Sequence, residues 1–305
     1  MVQTGRIKYF LAAIAAAVIW GFFAIPLRHL KSYPSEQILH FRIVLSLVFT
    51  WTIILLFRRK HARQDVAYLK SLSSTNRKRL FLLTIAAAVL ITGNWYTFIY
   101  AINNVSLKSA AFAYMVCPLL TAFGGFIILK EKISTVKIAG IGLAIISIVI
   151  LASGSLIEVL WSVFIASLYA LYLIIQRIIQ EVDKLNMLGI QLILSTVIMF
   201  PFFIYHQYSI PNALDFWLNI ALIAAVFTVI PLFLSLYALI GMASSTLGIM
   251  IYINPIIAFS VAFFYFHERV SKLQSAAYTL LFIAVLVFNW TFISEVFNKR
   301  RTSDK

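Results

Sequence analysis

The chain has 305 residues, 62% hydrophobic and only 11% charged, with a mean hydropathy of +0.96. Too few polar residues remain to cover a soluble globule of that size, which excludes a soluble single-core fold. The net charge of +15 sits almost wholly in loops and tails between apolar runs, so it does not mark a nucleic-acid-binding surface.

An α-helix needs about 20 apolar residues to cross about 30 Å of hydrocarbon. Runs of that kind occupy residues about 8–27, 37–57, 80–102, 108–129, 136–153, 157–176, 187–206, 214–239, 245–266 and 273–294. A transmembrane barrel is excluded because Ile138 to Leu151 and Ala276 to Phe288 are apolar on every face, where barrel strands alternate. The first run, behind Arg6 and Lys8, is too long for a signal peptide and reads as an uncleaved span. Between the second and third runs, residues 58–79 read as a solvated basic loop within reach of anionic lipid head groups. The fifth and sixth runs are separated only by Ser153, Gly154, Ser155 and Glu158. Cys117 is the single cysteine, which excludes an intrachain disulfide and a cysteine-based metal cluster.

Lys and Arg flanking short loops are retained in the cytoplasm. With the N-terminus inside, inner segments hold 19 of the 25 cations and outer loops five. Ten spans put both basic tails on that side, so span count and charge census agree. The expected location is the cell's inner or plasma membrane, multi-pass, with both termini cytoplasmic.

The sequence also repeats. A shift of 137 residues superposes Tyr100-Ala101 on Tyr237-Ala238, Pro118 on Pro255, Glu131 on Glu268 and Ser134 on Ser271. In the opening spans a shift of 149 places Trp20 on Tyr169 and Arg28 on Arg177. The expected units are 1–153 and 154–296, followed by a basic tail at 297–305. A five-span repeat is odd-numbered, so its second copy enters the membrane in the opposite direction. Inverted repeats are a transporter signature, with the site expected between the halves near the midplane.

Trp20-Gly21 with Pro26, Gly93-Asn94-Trp95, Ala101-Ile102-Asn103-Asn104, Tyr114 with Pro118-Leu119, and Leu129 to Ile133 carry a resemblance. Pro231-Leu232, Ser245 to Gly248, Tyr252 to Pro255 and His267-Glu268-Arg269 extend it through the second half. Together they resemble the RarD branch of the drug/metabolite transporter (EamA) superfamily, whose members carry the name chloramphenicol-sensitive protein. The resemblance implies an all-α polytopic membrane protein of ten transmembrane helices in two inverted five-helix EamA-type repeats. It further implies transport of small metabolites, often outward. Three positions depart from the family pattern. Phe41-Arg42 replaces His-Arg, with His40 one place earlier; Cys117 replaces an Asn; and Gln191 stands where a Glu is frequent.

All ten acidic residues lie in loops or within about a turn of a span end, so the sequence offers no deep proton-relay carboxylate. The deepest charge is Arg42, about one and a half turns into the second span. Buried unpaired, it would cost at least ~2.5 kcal/mol. It is read either as the ligand for a substrate carboxylate or phosphate, or as a structural cation paired with Glu36 or snorkelling to the interface. Asn94, Gln191 and Asn254 are neutral hydrogen-bonding groups at membrane depth, suited to orienting a polar substrate or to joining helices. Trp20, Trp95, Tyr100, Tyr114, Tyr169, Tyr172, Tyr237 and Tyr252 are candidate pocket walls, bundle packing being the other reading of each. Pro118 and Pro255, each removing a backbone donor mid-span, are candidate hinges or cavity-lining positions, as is Trp20.

No nucleotide loop, metal cluster or nucleophile elbow is present in the sequence, which therefore reads as a non-enzyme needing no cofactor. The leading expectation is a secondary transporter, exporting small metabolites such as amino acids or amphipathic drug-like solutes. Its partners are a small-molecule substrate and the lipid bilayer, with a homodimer left open and no nucleic acid. The alternatives are a lipid or lipid-linked-sugar flippase, and a non-transporting membrane sensor or assembly subunit.

Overall fold

The computed structural model describes residues 2–130, 134–152, 155–241, 247, 250, 253–267, 271–288 and 290, and the side chains of 2–6, 108, 129 and 255 also lie outside the description. Its helices are α1 (Val2–Gly21), α2 (Ala24–His29), α3 (Ser35–Phe57), α4 (Arg59–Ser71), α5 (Ser74–Tyr100), α6 (Leu107–Leu129) and α7 (Thr135–Ala152). They continue with α8 (Leu156–Ile178), α9 (Lys184–His206), α10 (Leu214–Ala224), α11 (Ile230–Gly241), α12 (Ile253–Ser260) and α13 (Lys272–Phe288). Short π-helical stretches follow α5 (Ala101–Val105), join α10 to α11 (Ala225–Val229) and follow α12 (Val261–Tyr265).

Among the described residues, eight helical stretches are long and apolar enough to cross a membrane, from Ile7–His29 to Leu214–Gly241. Two shorter apolar helices follow them, Ile256–Tyr265 and Lys272–Phe288. The protein is an all-helical, multi-pass membrane protein. Large apolar side chains such as Leu56, Phe57, Ile145, Val149 and Val197 point outward, as lipid-facing surface requires. The polar side chains Ser46, Thr92, Asn94, Ser147, Gln176 and Gln191 are buried.

Several helix starts follow from local sequence. Ser73, Ser106, Ser155 and Asp183 each accept a backbone N–H two or three residues ahead, capping α5, α6, α8 and α9. The Ser155 cap also gives the division between the fifth and sixth runs its physical basis, because α7 ends at Ala152 and α8 opens at Leu156.

One expectation needs refinement and one correction. The first run is a single candidate span, Ile7–His29, but a turn divides its helix. Pro26 has no N–H for the Phe22 carbonyl, which accepts instead from Ile25 N at 3.1 Å, so α1 stops and α2 starts after a turn. The segment 58–79 is not a solvated loop throughout. It contains α4, and α5 begins at Ser74, well before the expected 80. Ala62, Val66 and Leu69 give α4 an apolar face that its dense positive charge obscured.

The packing follows a pattern of exchange between the two halves. Helix α1 packs on α11 and α12, while α8, one repeat later, packs on α5 and α6. Helices α3 and α9 pack on each other, as do α7 and α13. Polar contacts fasten these pairs: Trp51 Nε1 donates to Gly189 O at 3.2 Å, Ser162 Oγ to Ser109 O at 2.8 Å, and Ser147 Oγ to Ala277 O at 2.7 Å.

Gly140 sets the approach of α7 to α13. A Cβ there would stand 2.8 Å from the backbone N and Cα of Phe288, which cannot swing aside as a side chain can. Gly140→Leu is therefore expected to separate the two helices and lower stability by about 1–3 kcal/mol, or more if they cannot re-dock. The thermal midpoint of the detergent-purified protein measures this. Gly142→Leu, at a position with open space around it, serves as the unaffected control.

Candidate functional site

Arg42 lies within α3, 3% exposed, with no carboxylate beside it among the described residues. Glu36, the partner considered from sequence, instead accepts a hydrogen bond from the Tyr96 hydroxyl at 2.8 Å. Snorkelling is equally absent, since the guanidinium is held between two aromatic rings. Its central carbon is 4.9 Å from the Phe23 ring centre and 4.8 Å from that of Trp95. Nε donates to Thr228 Oγ1 at 2.8 Å, whereas Nη1 is buried without a hydrogen-bond partner. Arg42 is thus a desolvated cation with donor capacity left over.

The threonine that meets it is placed by a local defect in the second half. Pro231 cannot donate to the carbonyl four residues earlier, Phe227 O, and the chain widens into the π-helical Ala225–Val229 just before it. The freed Phe227 carbonyl accepts from Trp20 Nε1 at 3.1 Å. Thr228 gives its hydroxyl proton to Ile223 O at 2.9 Å, leaving a lone pair for Arg42 Nε. One π stretch therefore grips Trp20 and Arg42, both from the first half of the chain.

Asn94 on α5 completes the polar set. It is 1% exposed, its Nδ2 donates to Ile165 O at 2.9 Å, and its Oδ1 is buried without a donor. Arg42 and Asn94 both open onto a small central cavity of about 20 Å³, walled by Trp20, Phe23, Trp95, Phe98, Tyr114, Tyr169 and Leu232. The rings form a connected set. Phe23 stacks on Phe98 at 5.8 Å, Phe98 meets Tyr114 edge-on at 5.2 Å, and Tyr169 meets Trp20 and Tyr114 edge-on at 6.3 and 6.0 Å. A volume near 20 Å³ holds about one water. Arg42 and Asn94 line this small cavity, each carrying a buried polar atom without a hydrogen-bond partner, and both halves of the chain contribute walls.

Either end of the α3/α9 pair is tied across the halves. Arg58 Nη2 and Asp183 Oδ2 form a 2.6 Å ion pair where α3 ends and α9 begins. At the opposite end Gln37 Nε2 donates to Ser209 O at 2.7 Å. Neither tie crosses the cavity itself.

Of the residues singled out from sequence, Trp20, Arg42, Asn94, Trp95, Tyr114 and Tyr169 meet at this cavity. The others lie elsewhere. Tyr100 stacks on Trp161 at 5.1 Å, and Tyr237 packs between Tyr9 and Phe233 at 5.0 and 6.1 Å. Gln191 is buried behind Tyr169, its Oε1 accepting from the Tyr172 hydroxyl at 3.3 Å. Asn254 is buried on α12. Pro118 is buried inside α6, next to the fully buried Cys117. Tyr252 and the side chain of Pro255 lie outside the described residues, as do Glu131, Glu268 and the tail at 297–305. The wall residues Phe23, Phe98 and Leu232, and the ligand Thr228, were not anticipated. Pro231 was the signal available for Thr228, since a mid-span proline announces irregular backbone on its N-terminal side.

The comparisons with known proteins agree with this fold. The family model of the EamA-like transporter family matches residues 7–153 and again 156–290. The chain therefore belongs to the EamA-like transporter family, with two EamA domains. It is 27% identical over 303 residues to Protein RarD of Escherichia coli strain K12, covering 96% of each chain. It is 29% identical to Protein RarD of Salmonella typhi, covering 91% of this chain and 93% of that protein. The transporter YojE of Bacillus subtilis strain 168 is 27% identical, with 90% and 91% covered. A solved protein crystal structure superposes with a TM-score of 0.68 at 14% identity, covering 94% of this chain and 98% of that one, a likeness of fold alone.

Proposed function

We propose that this protein is a secondary transporter that moves small metabolites bearing a carboxylate or comparable anionic group, amino acids and amphipathic drug-like acids included. It works by alternating access between two inverted five-helix repeats, residues 1–153 and 154–296, in a ten-helix bundle with cytoplasmic termini. Export is the direction implied by the family resemblance. The carrying observation is Arg42, buried without a countercharge yet keeping an unused donor, on the wall of a cavity that both halves line. A buried cation of that kind is stable only if an anion or water completes its hydrogen bonds. Asn94 Oδ1 supplies an acceptor for an ammonium, amide or hydroxyl on the same solute, and the ring walls suit an apolar side chain.

The exchange of packing partners between α1 and α8 supports a two-fold relation of the repeats. The five-span unit makes that relation an inversion. A small cavity with room for about one water fits a narrowed stage of a cycle, with the ends of the α3/α9 pair parting in turn to admit solute. Energy comes from a gradient, exchange or downhill flow.

A thermal-stability screen of the purified protein tests the substrate class. A ligand bound at 100 times its Kd adds about 2.7 kcal/mol. Stabilisation is expected from amino acids or other carboxylates and not from quaternary ammonium compounds of similar size. Stabilisation confined to the cations would overturn the proposal.

A further inference from the structure

Away from the central cavity, a second and larger cavity of about 320 Å³ opens beneath α4. Its roof is the apolar face of α4, Ala62, Val66 and Leu69, and its walls come from α3, α5 and α9, among them Trp51, Phe81 and Leu194. None of the residues of α4 is buried, although that face lies directly over the cavity. An amphipathic helix held over a hydrocarbon-lined slot leaves its apolar face without a partner unless a chain of the surrounding lipid enters. The volume exceeds that of an engineered cavity of about 150 Å³ that takes up benzene, and it suits part of an acyl chain rather than a whole lipid.

The rim supplies the second half of the recognition. Residues 58–79 carry eight Lys and Arg and one acid, Asp65. Asp65 lies on the cavity wall, but its carboxylate already accepts from Asn186 Nδ2 at 2.5 Å and from Asp183 N at 3.2 Å. Arg77, also on the wall, is exposed and makes only long contacts, from Nη2 to Lys70 O at 3.4 Å and Leu72 O at 3.3 Å. Arg63 and Lys70 each follow an apolar roof residue by one position, so they flank the apolar face of α4.

We infer that this cavity is a binding site for an anionic phospholipid, with one acyl chain under α4 and the head group on Arg63, Lys70 and Arg77. It is separate from the transport site and shares no residue with it. Bound lipid would fill the space between α3, α5 and α9 beside the Arg58–Asp183 ion pair.

The test uses the full-length protein in detergent micelles with phosphatidylglycerol or phosphatidylcholine brominated on the acyl chain, bromine being a contact quencher of tryptophan. Trp51 lines the slot, so the quenching present in wild type and absent in Trp51→Phe reports occupancy. Phosphatidylglycerol is expected to produce it at about fivefold lower lipid concentration or less. Arg63→Gln/Lys70→Gln/Arg77→Gln is expected to bring phosphatidylglycerol to the level of phosphatidylcholine. An equal response of wild type to both lipids would overturn the anionic selectivity, and no Trp51-dependent quenching would overturn the site itself. Both of those results are read on the wild-type protein and Trp51→Phe, so they stand even if the triple variant does not fold.

Discussion

Arg42→Ala is expected to abolish flux in proteoliposomes while leaving a folded protein in the membrane. The substitution removes the one cation on the central cavity wall among the described residues, and with it a group able to bind a carboxylate through two parallel N–H donors. Losing charge-assisted hydrogen bonds of that kind costs about 3 kcal/mol in binding, roughly a hundredfold in affinity. The fold should tolerate the change, because Arg42 is paired to no carboxylate and Thr228 keeps its bond to Ile223 O. Arg42→Lys is expected to recover little. A lysine keeps the charge but loses the planar fork and the stacking between Phe23 and Trp95. Flux and melting temperature measured together decide the matter. Wild-type flux in Arg42→Ala would remove Arg42 from the site.

Asn94→Asp is expected to have an effect of the same order by a different route. The side chain is nearly isosteric, but it places a fixed negative charge on the wall of a cavity of about 20 Å³ that Arg42 also lines. In so small a space among buried side chains the new carboxylate satisfies Arg42 directly and competes with an anionic solute. It also loses the amide donor that Asn94 uses toward Ile165 O. Anionic and zwitterionic substrates should be bound more weakly by tenfold or more, about 1.4 kcal/mol or above, and the variant should melt no lower than Asn94→Ala. Direct binding of radiolabelled substrate to both variants measures this, and unchanged affinity in Asn94→Asp would contradict the pairing of roles.

Much of the bundle was legible because bilayer crossing imposes a length on each apolar run, and because Ser and Asp caps announce where helices restart. The presence of two related halves was legible from the shared offsets, and the family model matches the chain twice, over 7–153 and 156–290. The same offset of 149 that places Trp20 on Tyr169 also carries Arg42 onto Gln191, and both positions are buried polar groups in the structure. What could not be read was which neighbours a given depth acquires. Tyr100 and Tyr237 occupy equivalent positions yet pack on Trp161 and on Tyr9, away from the cavity. Thr228 looked like an ordinary span residue, since its role depends on a π-helical widening that hydropathy does not register. Phe23 faces Arg42 from the turn that divides the first span before Pro26. The apolar face of α4 was masked by charge, which dominates composition and flanks that face.

Alternating exposure of the central cavity is tested most directly by labelling one cysteine from either face of the membrane. Leu232 lines the cavity from the second half of the chain, so Leu232→Cys in a Cys117→Ser background offers a single thiol there. In oriented proteoliposomes, a membrane-impermeant maleimide is expected to react from both faces, with a ratio that shifts when substrate is added to one side and rates that fall at saturation. Labelling from one face alone, with a ratio that no substrate alters, would mean a pit rather than a transport pathway and would contradict alternating access.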